Sequence, residues 1–300
     1  MPEVLPSGAT TGEAGTPGDH APQPLLRAVH CGGFVEAIAL MWVYLCYSQL
    51  RAMAAGSERV AREHAIRLLA VERFFGLDFE RGVQALGLRA DWFAAFWNVW
   101  YGTVHFVAPV VVLVVLWRAA PARYVRMRNT LLITFGLGVV LFMVFPLMPP
   151  RLMPPGYGYV DSGEQYFHID SSLRSQLGGD DKPTTSDFAQ GANDFAAMPS
   201  MHVTWSTWVA LALWPLVRRR WKRALLVAYP LSILLCVLVT GNHWFLDAVG
   251  AWLVLAASYR LALAIERISA ARRSAAPTVA APVAATGVYA VDEPASKDVV

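Results

Sequence analysis

His243 and Asp247 stand four residues apart at the start of an apolar run. On a helix, such a pair shares a face, so the carboxylate can accept an imidazole N–H and decide which ring nitrogen keeps its lone pair. This is the orienting half of a catalytic dyad. The simpler alternative is a His/Asp pair that clamps one helix, but an ionisable residue inside an apolar span is costly and by default functional. A second histidine, His202, closes the run Ala197-Met198-Pro199-Ser200-Met201-His202. Pro-Ser before an apolar stretch reads as a helix start with Ser200 as N-cap, which leaves free backbone N–H groups and the positive end of the helix dipole beside His202. Such a start can bind phosphate, although capping alone also explains Ser200. Arg151 adds a cation at the end of another apolar run.

The elements that must position these groups are membrane spans. Hydrophobic residues make up 56% of the 300 and charged residues 16%, with eleven Trp, a balance that suits bilayer rather than water. Apolar runs predict six spans, at about 32–50, 93–117, 130–148, 200–217, 224–240 and 243–264. Between the first two, Ser57 to Leu88 mixes Arg and Glu with Ile66, Leu69, Phe74, Phe75, Leu77, Phe79 and Leu86, a pattern for helices lying in the interface. The expected fold is therefore an all-α integral membrane protein. Residues 1–24 and 269–300 form disordered tails, 25–268 the catalytic domain, 57–90 its interfacial helices and 149–199 an extracytoplasmic loop.

Arg118, Arg123, Arg126 and Arg128 cluster in one connection and Arg218, Arg219, Arg220, Lys222 and Arg223 in another, which places both on the cytoplasmic side. The long connection from Pro149 to Pro199 carries more acidic than basic residues and belongs outside. Both termini are then cytoplasmic, and Arg151, His202 and His243 fall at the same outer depth, with the plasma membrane the expected location. The arginines between Ser57 and Arg89 run against this rule. The net charge of +3 comes from these clusters and forms no basic stripe with interleaved aromatics, which argues against a nucleic-acid partner. Cys31, Cys46 and Cys236 show no CxxC spacing and read as buried thiols.

Taken together, the run ending in His202 resembles the PSGH-type motif of the type 2 phosphatidic acid phosphatase superfamily. Gly241-Asn242-His243-Trp244-Phe245-Leu246-Asp247 resembles its HxxxD motif, and Phe145-Pro146-Leu147-Met148-Pro149-Pro150-Arg151 the first motif of the branch that includes inositol phosphorylceramide synthases. The likeness covers roughly residues 60 to 265. It implies that His243 attacks phosphorus, Asp247 holds its tautomer, and His202 serves as general acid and then general base. Arg151 and the Ser200 helix start would stabilise charge on the phosphoryl oxygens, with no metal and no cofactor. The expected partners are a phospholipid donor and, as acceptor, a lipid alcohol or water.

The departures bear on substrate. The superfamily's phosphatases use KxxxxxxRP and SRxxxxxHxxxD, whereas here Val144 stands seven residues before Arg151 and Val237 six before His243. A phosphomonoester carries close to two negative charges at neutral pH and a diester one. Losing two cations while keeping both histidines points to a diester donor and a phosphotransferase. A lipid phosphate phosphatase is the alternative, and a transporter or proton relay a more distant one. His168, Arg174 or Lys182 in the outer loop could restore the missing charge.

Asn98, Tyr101 and His105 form one polar stripe in the second span, suited to an acceptor pocket or to bridging helices. Glu36 fits an interior hydrogen bond, and Trp205, Trp208, Trp244 and Trp252 fit packing and interface anchoring.

Overall fold

The computed structural model describes residues 33–54, 56–162 and 193–275; the tail 1–24, Cys31, His168, Arg174, Lys182 and most of the outer loop lie outside the described residues. Its helices are α1 (Gly33–Met53), α2 (Glu58–Phe74), α3 (Glu80–Gly87), α4 (Asp91–Ala119), α5 (Pro121–Val144), α6 (Met201–Leu213), α7 (Arg220–Val239) and α8 (Phe245–Ala275). Four of them, α4, α5, α7 and α8, are long and apolar enough to cross a membrane. The chain is an integral membrane protein, and their outward faces carry exposed Val107, Val110, Val111, Leu225, Leu231, Leu253 and Leu261.

Several boundaries differ from expectation. The helix expected from 130 begins at Pro121, whose fixed φ suits the first turn, and stops before Phe145-Pro146, because a residue ahead of proline is pushed out of the helical region. Of the arginines expected in a loop, Arg123, Arg126 and Arg128 therefore sit on this helix and Arg118 in the last turn of α4. Arg126 bonds Glu266 of α8, while Arg128 and Tyr124 both bond Glu36 of α1, giving Glu36 the interior role foreseen for it. The run expected to span from 200 to 217 contains a helix of only 13 residues, followed by the 3-10 turn Trp214–Leu216, where Pro215 interrupts it. At 1.5 Å per residue, α6 is about 20 Å long, short of a hydrocarbon core of about 30 Å. The last helix opens at Phe245, two residues after His243, and continues to Ala275, past the expected start of the C-terminal tail.

Short α6 is the hub, packed by α4, α5, α7 and α8. One core joins α1, α4, α5 and α6 through Tyr47, Val112, Leu116, Met127, Phe135, Phe142, Trp205 and Trp208. A second lies outward of it, where Ala61, Ala65, Leu68 and Leu69 of amphipathic α2 cover Leu147, Met148, Met153 and Trp244. The segment expected in the interface thus lies as a lid over these connecting residues, and α2 and α3 meet across a turn at Gly76, whose φ of 68° suits glycine. Trp208 and Trp244 are fully buried, with their indole N–H groups bonded to Met127 O and Met148 O, so both serve packing. Trp252 is partly exposed. Of the described cysteines, Cys46 is exposed, against expectation, because no described residue covers its face of α1, and Cys236 is buried.

Candidate active site

The chain reaches His243 through a tight turn after α7. Gly241 has φ 67°, and a Cβ there would meet Gln84 Nε2 at 2.5 Å and Arg151 at 3.4 Å, so glycine is required on both counts. The Gly241 carbonyl accepts the Arg151 N–H at 2.9 Å, which fastens the motif carrying Arg151 beside the one carrying His243.

His243 is 5% exposed, and its Nδ1 lies 2.9 Å from Ala197 O and 3.2 Å from Asp247 Oδ2. A carbonyl and a carboxylate only accept, so Nδ1 carries the hydrogen and Nε2 keeps the lone pair. The neutral ring therefore presents Nε2 with its lone pair free of that role. Since α8 begins after His243, the pair does not share a helical face as expected. Asp247 instead reaches back from the first turn of α8, where the same Oδ2 accepts the Trp244 N–H at 2.9 Å. Two further carboxylates serve this helix start: Glu80 Oε1 accepts the Phe245 N–H at 3.0 Å and Glu72 Oε1 the Leu246 N–H at 2.9 Å. With its donors occupied by acids, the start of α8 offers nothing to an anion.

The start of α6 is built the other way. Ser200, fully buried, is the N-cap and accepts the Val203 N–H at 3.4 Å, while its own N–H bonds Asp247 O at 3.2 Å. The N–H groups of Met201 and His202, in the first turn, have no intrahelical acceptor and bond no backbone oxygen among the described residues. The His202 ring lies 5.6 Å from the His243 ring, centroid to centroid, stacks on Tyr101 at 4.0 Å and meets His105 at 4.0 Å. His202 Nδ1 and His105 Nδ1 are buried without hydrogen-bond partners among the described residues.

Tyr101 and His105 thus stand against the site, as the polar stripe predicts. Asn98 is engaged elsewhere: its NH2 bonds Ala94 O and Ser162 Oγ, and Ser162 in turn bonds Thr240 O, tying α4 to the residues before 163 and to the end of α7. Arg151 is beside the site but already engaged, with Nη1 on Asp161 Oδ2 at 2.7 Å and Nη2 on Asp194 Oδ1 at 3.1 Å. Burial alone would lower its pKa, and the two carboxylates more than reverse that. Val144 ends α5 facing outward and Val237 is buried in the α7 core, so neither position supplies a charge. Among the described residues, no group of three His, Cys, Asp or Glu is placed to hold a metal ion.

Sequence reasoning missed Glu72 and Glu80, both read as charges on an interfacial face. The signal was present for Glu72, which falls three and four residues after Leu69 and Leu68, on the buried side of α2. Burial pushes Glu72 far above the ordinary carboxyl range; the Leu246 N–H opposes this and the Glu80 charge adds to it. The Ala197 carbonyl left no trace in the sequence, because any residue there supplies one.

Comparison with known proteins agrees with this geometry. Residues 66–261 match the model of the PAP2 superfamily. The inositol phosphorylceramide synthase catalytic subunit aur1 of Schizosaccharomyces pombe is 29% identical over 160 residues, half of this chain and 35% of that relative, so the chain spans about a third of the relative's length. No solved structure matches. The match covers α3 to α7 entire and includes Arg151, both histidines and Asp247, and the chain accordingly belongs to the PAP2 superfamily of membrane phosphatases and phosphotransferases.

Proposed function

We propose that the protein is a six-span lipid phosphotransferase, which moves a phosphorylated head group from a phospholipid to a lipid alcohol at the outer face of the plasma membrane. The observation that carries this reading is the facing pair His202 and His243 in a site where both extra cation positions of the phosphatase pattern are valine. Such a site suits the single charge of a phosphodiester better than the near-double charge of a monoester. The name of the S. pombe relative makes inositol phosphate the first head group to test.

In the first half-reaction, His243 Nε2 bonds to phosphorus while the bond from phosphorus to the glycerol oxygen breaks, and His202 gives a proton to the leaving alkoxide. Asp247 and the Ala197 carbonyl share the Nδ1 hydrogen as the ring becomes cationic. In the second, His202 takes the proton of the acceptor hydroxyl, whose oxygen bonds to phosphorus as the P–N bond breaks. The Met201 and His202 N–H groups stabilise charge on the non-bridging oxygens. With α1 and α6 counted beside the four long helices, both termini are cytoplasmic and the site opens outward.

The test is to incubate purified protein with phosphatidylinositol plus ceramide or diacylglycerol, and separately with phosphatidic acid, following new lipid and free phosphate. Transfer to the lipid alcohol is expected. Phosphate release from phosphatidic acid with no new lipid in the first mixture would overturn the transferase in favour of a phosphatase.

A further inference from the structure

Both phosphatase cations are missing and Arg151 is bound to two carboxylates, so the substrate's charge needs another partner. Two independent helix registers lead to one. Gly33 of α1 lies against the Trp117 ring and Tyr44 meets Phe106 at 6.3 Å, which sets α1 antiparallel to α4, one residue for one. Seven residues further along, about 10.5 Å, Arg51 comes level with Val99, two residues from the Tyr101 ring that stacks on His202. On the other side, Tyr47 stacks on Phe135 of α5 at 4.7 Å. Four residues on, Arg51 comes level with Val139, beside Gly138, where a Cβ would meet Met201 Sδ at 3.2 Å. Both registers end at the start of α6.

We propose that Arg51, in the last turn of α1, is the cation that receives the substrate's phosphate at the His202–His243 site, in place of the two absent motif cations. Its charge acts on Tyr101, His105, His202 and His243, a group drawn from three parts of the chain. Unlike Arg126, Arg128 and Arg151, it has no carboxylate partner among the described residues. Its stem can lie along the apolar helix while the guanidinium reaches outward to the phosphate. One uncompensated cation matches one charge, the charge of a phosphodiester. The residue lies outside the stretch that matches the family, 66–261, so no family motif supplies it.

The inference rests on the phosphotransfer reading, and the test separates the two. Purified Arg51→Gln, Arg51→Met and Arg51→Lys are assayed beside wild type on phosphatidylinositol with ceramide or diacylglycerol and on phosphatidic acid. A hydrogen bond to a charged group predicts a loss of about 10- to 100-fold in kcat/KM for the Gln and Met variants, with Lys recovering at least half of the logarithmic loss. Arg59→Gln, an exposed pair with Glu63 on α2, is the control for general surface charge and should stay within twofold of wild type. Affinity for inorganic phosphate, read as protection of His243 from carbethoxylation by mass spectrometry, should fall with the same ranking whether or not a lipid is turned over. Wild type inactive on every lipid, with that ranking kept, would sink the phosphotransfer reading and spare Arg51. Wild-type kcat/KM and phosphate protection in whichever of the Gln and Met variants folds, or a Lys variant as poor as both, would overturn the role of Arg51.

Discussion

Replacing Asp247 by Asn separates the two jobs of this carboxylate, holding a tautomer and balancing a charge. In the native site one oxygen, Oδ2, accepts both the His243 Nδ1–H and the Trp244 N–H, while Oδ1 is buried with no partner among the described residues. An Asn that keeps its carbonyl oxygen in the Oδ2 position preserves both bonds, and its NH2 then takes the unpartnered place. Ala197 O, at 2.9 Å, continues to hold Nδ1–H, so the nucleophilic Nε2 is retained. What is lost is charge: each bond to an ionised acceptor weakens toward a neutral one, by about 1 to 1.5 kcal/mol. With two such bonds, kcat should fall by about 30- to 150-fold, with KM little changed. The stranded NH2 should cost about 1–3 kcal/mol of stability. The assay is steady-state lipid transfer beside thermal unfolding in the same detergent. In a triad where the acid alone sets the tautomer, its amide costs about 10⁴-fold. A loss of that size here would refute the claim that the Ala197 carbonyl fixes the ring, and no loss would refute the coupling of Asp247 to His243.

Three other outcomes are expected. His243→Ala should abolish turnover and the acid-labile phosphoenzyme together, whereas His202→Ala should leave a phosphoenzyme that forms slowly; equal phosphoenzyme in wild type and His243→Ala would exclude the assigned nucleophile. Gly241→Ala should lower stability by about 1–3 kcal/mol, because it strains a left-handed turn and drives a methyl into Gln84, as a thermal melt would register. Glu72→Ala strands the Leu246 N–H at a cost of about 1–3 kcal/mol, while Glu72→Gln keeps an acceptor. Because Glu72 holds its proton more tightly when folded, its contribution to stability falls as pH rises above the ordinary carboxyl value of 4.5. Glu72→Gln should flatten that pH slope, and an unchanged slope would count against a protonated Glu72.

The chemistry was legible in the sequence wherever it rides on spacing. His202 follows a Pro-Ser helix start as expected, His243 meets Asp247 although through a turn rather than the shared helix face the spacing predicted, and Tyr101 and His105 fall on one side of a helix because period alone decides that. Charge partners were not legible. Arg151 looks like a free cation until Asp161 and Asp194 close on it, and nothing in their separations of 10 and 43 residues announces this. Helix ends were misjudged where hydropathy and stereochemistry disagree. An apolar run continues through Trp214-Pro215, but the helix does not, and charged residues at 123, 126 and 128 are helical because acids on α1 and α8 meet the last two. Asn98 shares the stripe of Tyr101 and His105, yet its NH2 bonds Ser162, 64 residues away, a partner no spacing announces.

The acids beneath α8 also bear on where this catalytic unit begins. The family match opens at residue 66, inside α2, yet Glu72 of that helix and Glu80 of the next hold the backbone from which Asp247 projects. A chain trimmed to the matching stretch would keep every motif residue and lose half of α2 with Ala61 and Ala65, which pin it to the outer core. Its histidines would be present, but the segment between α7 and α8 would have lost its footing. For dissection of this protein, the smallest unit worth purifying starts ahead of α1, so that it keeps Arg51 and the whole of α2.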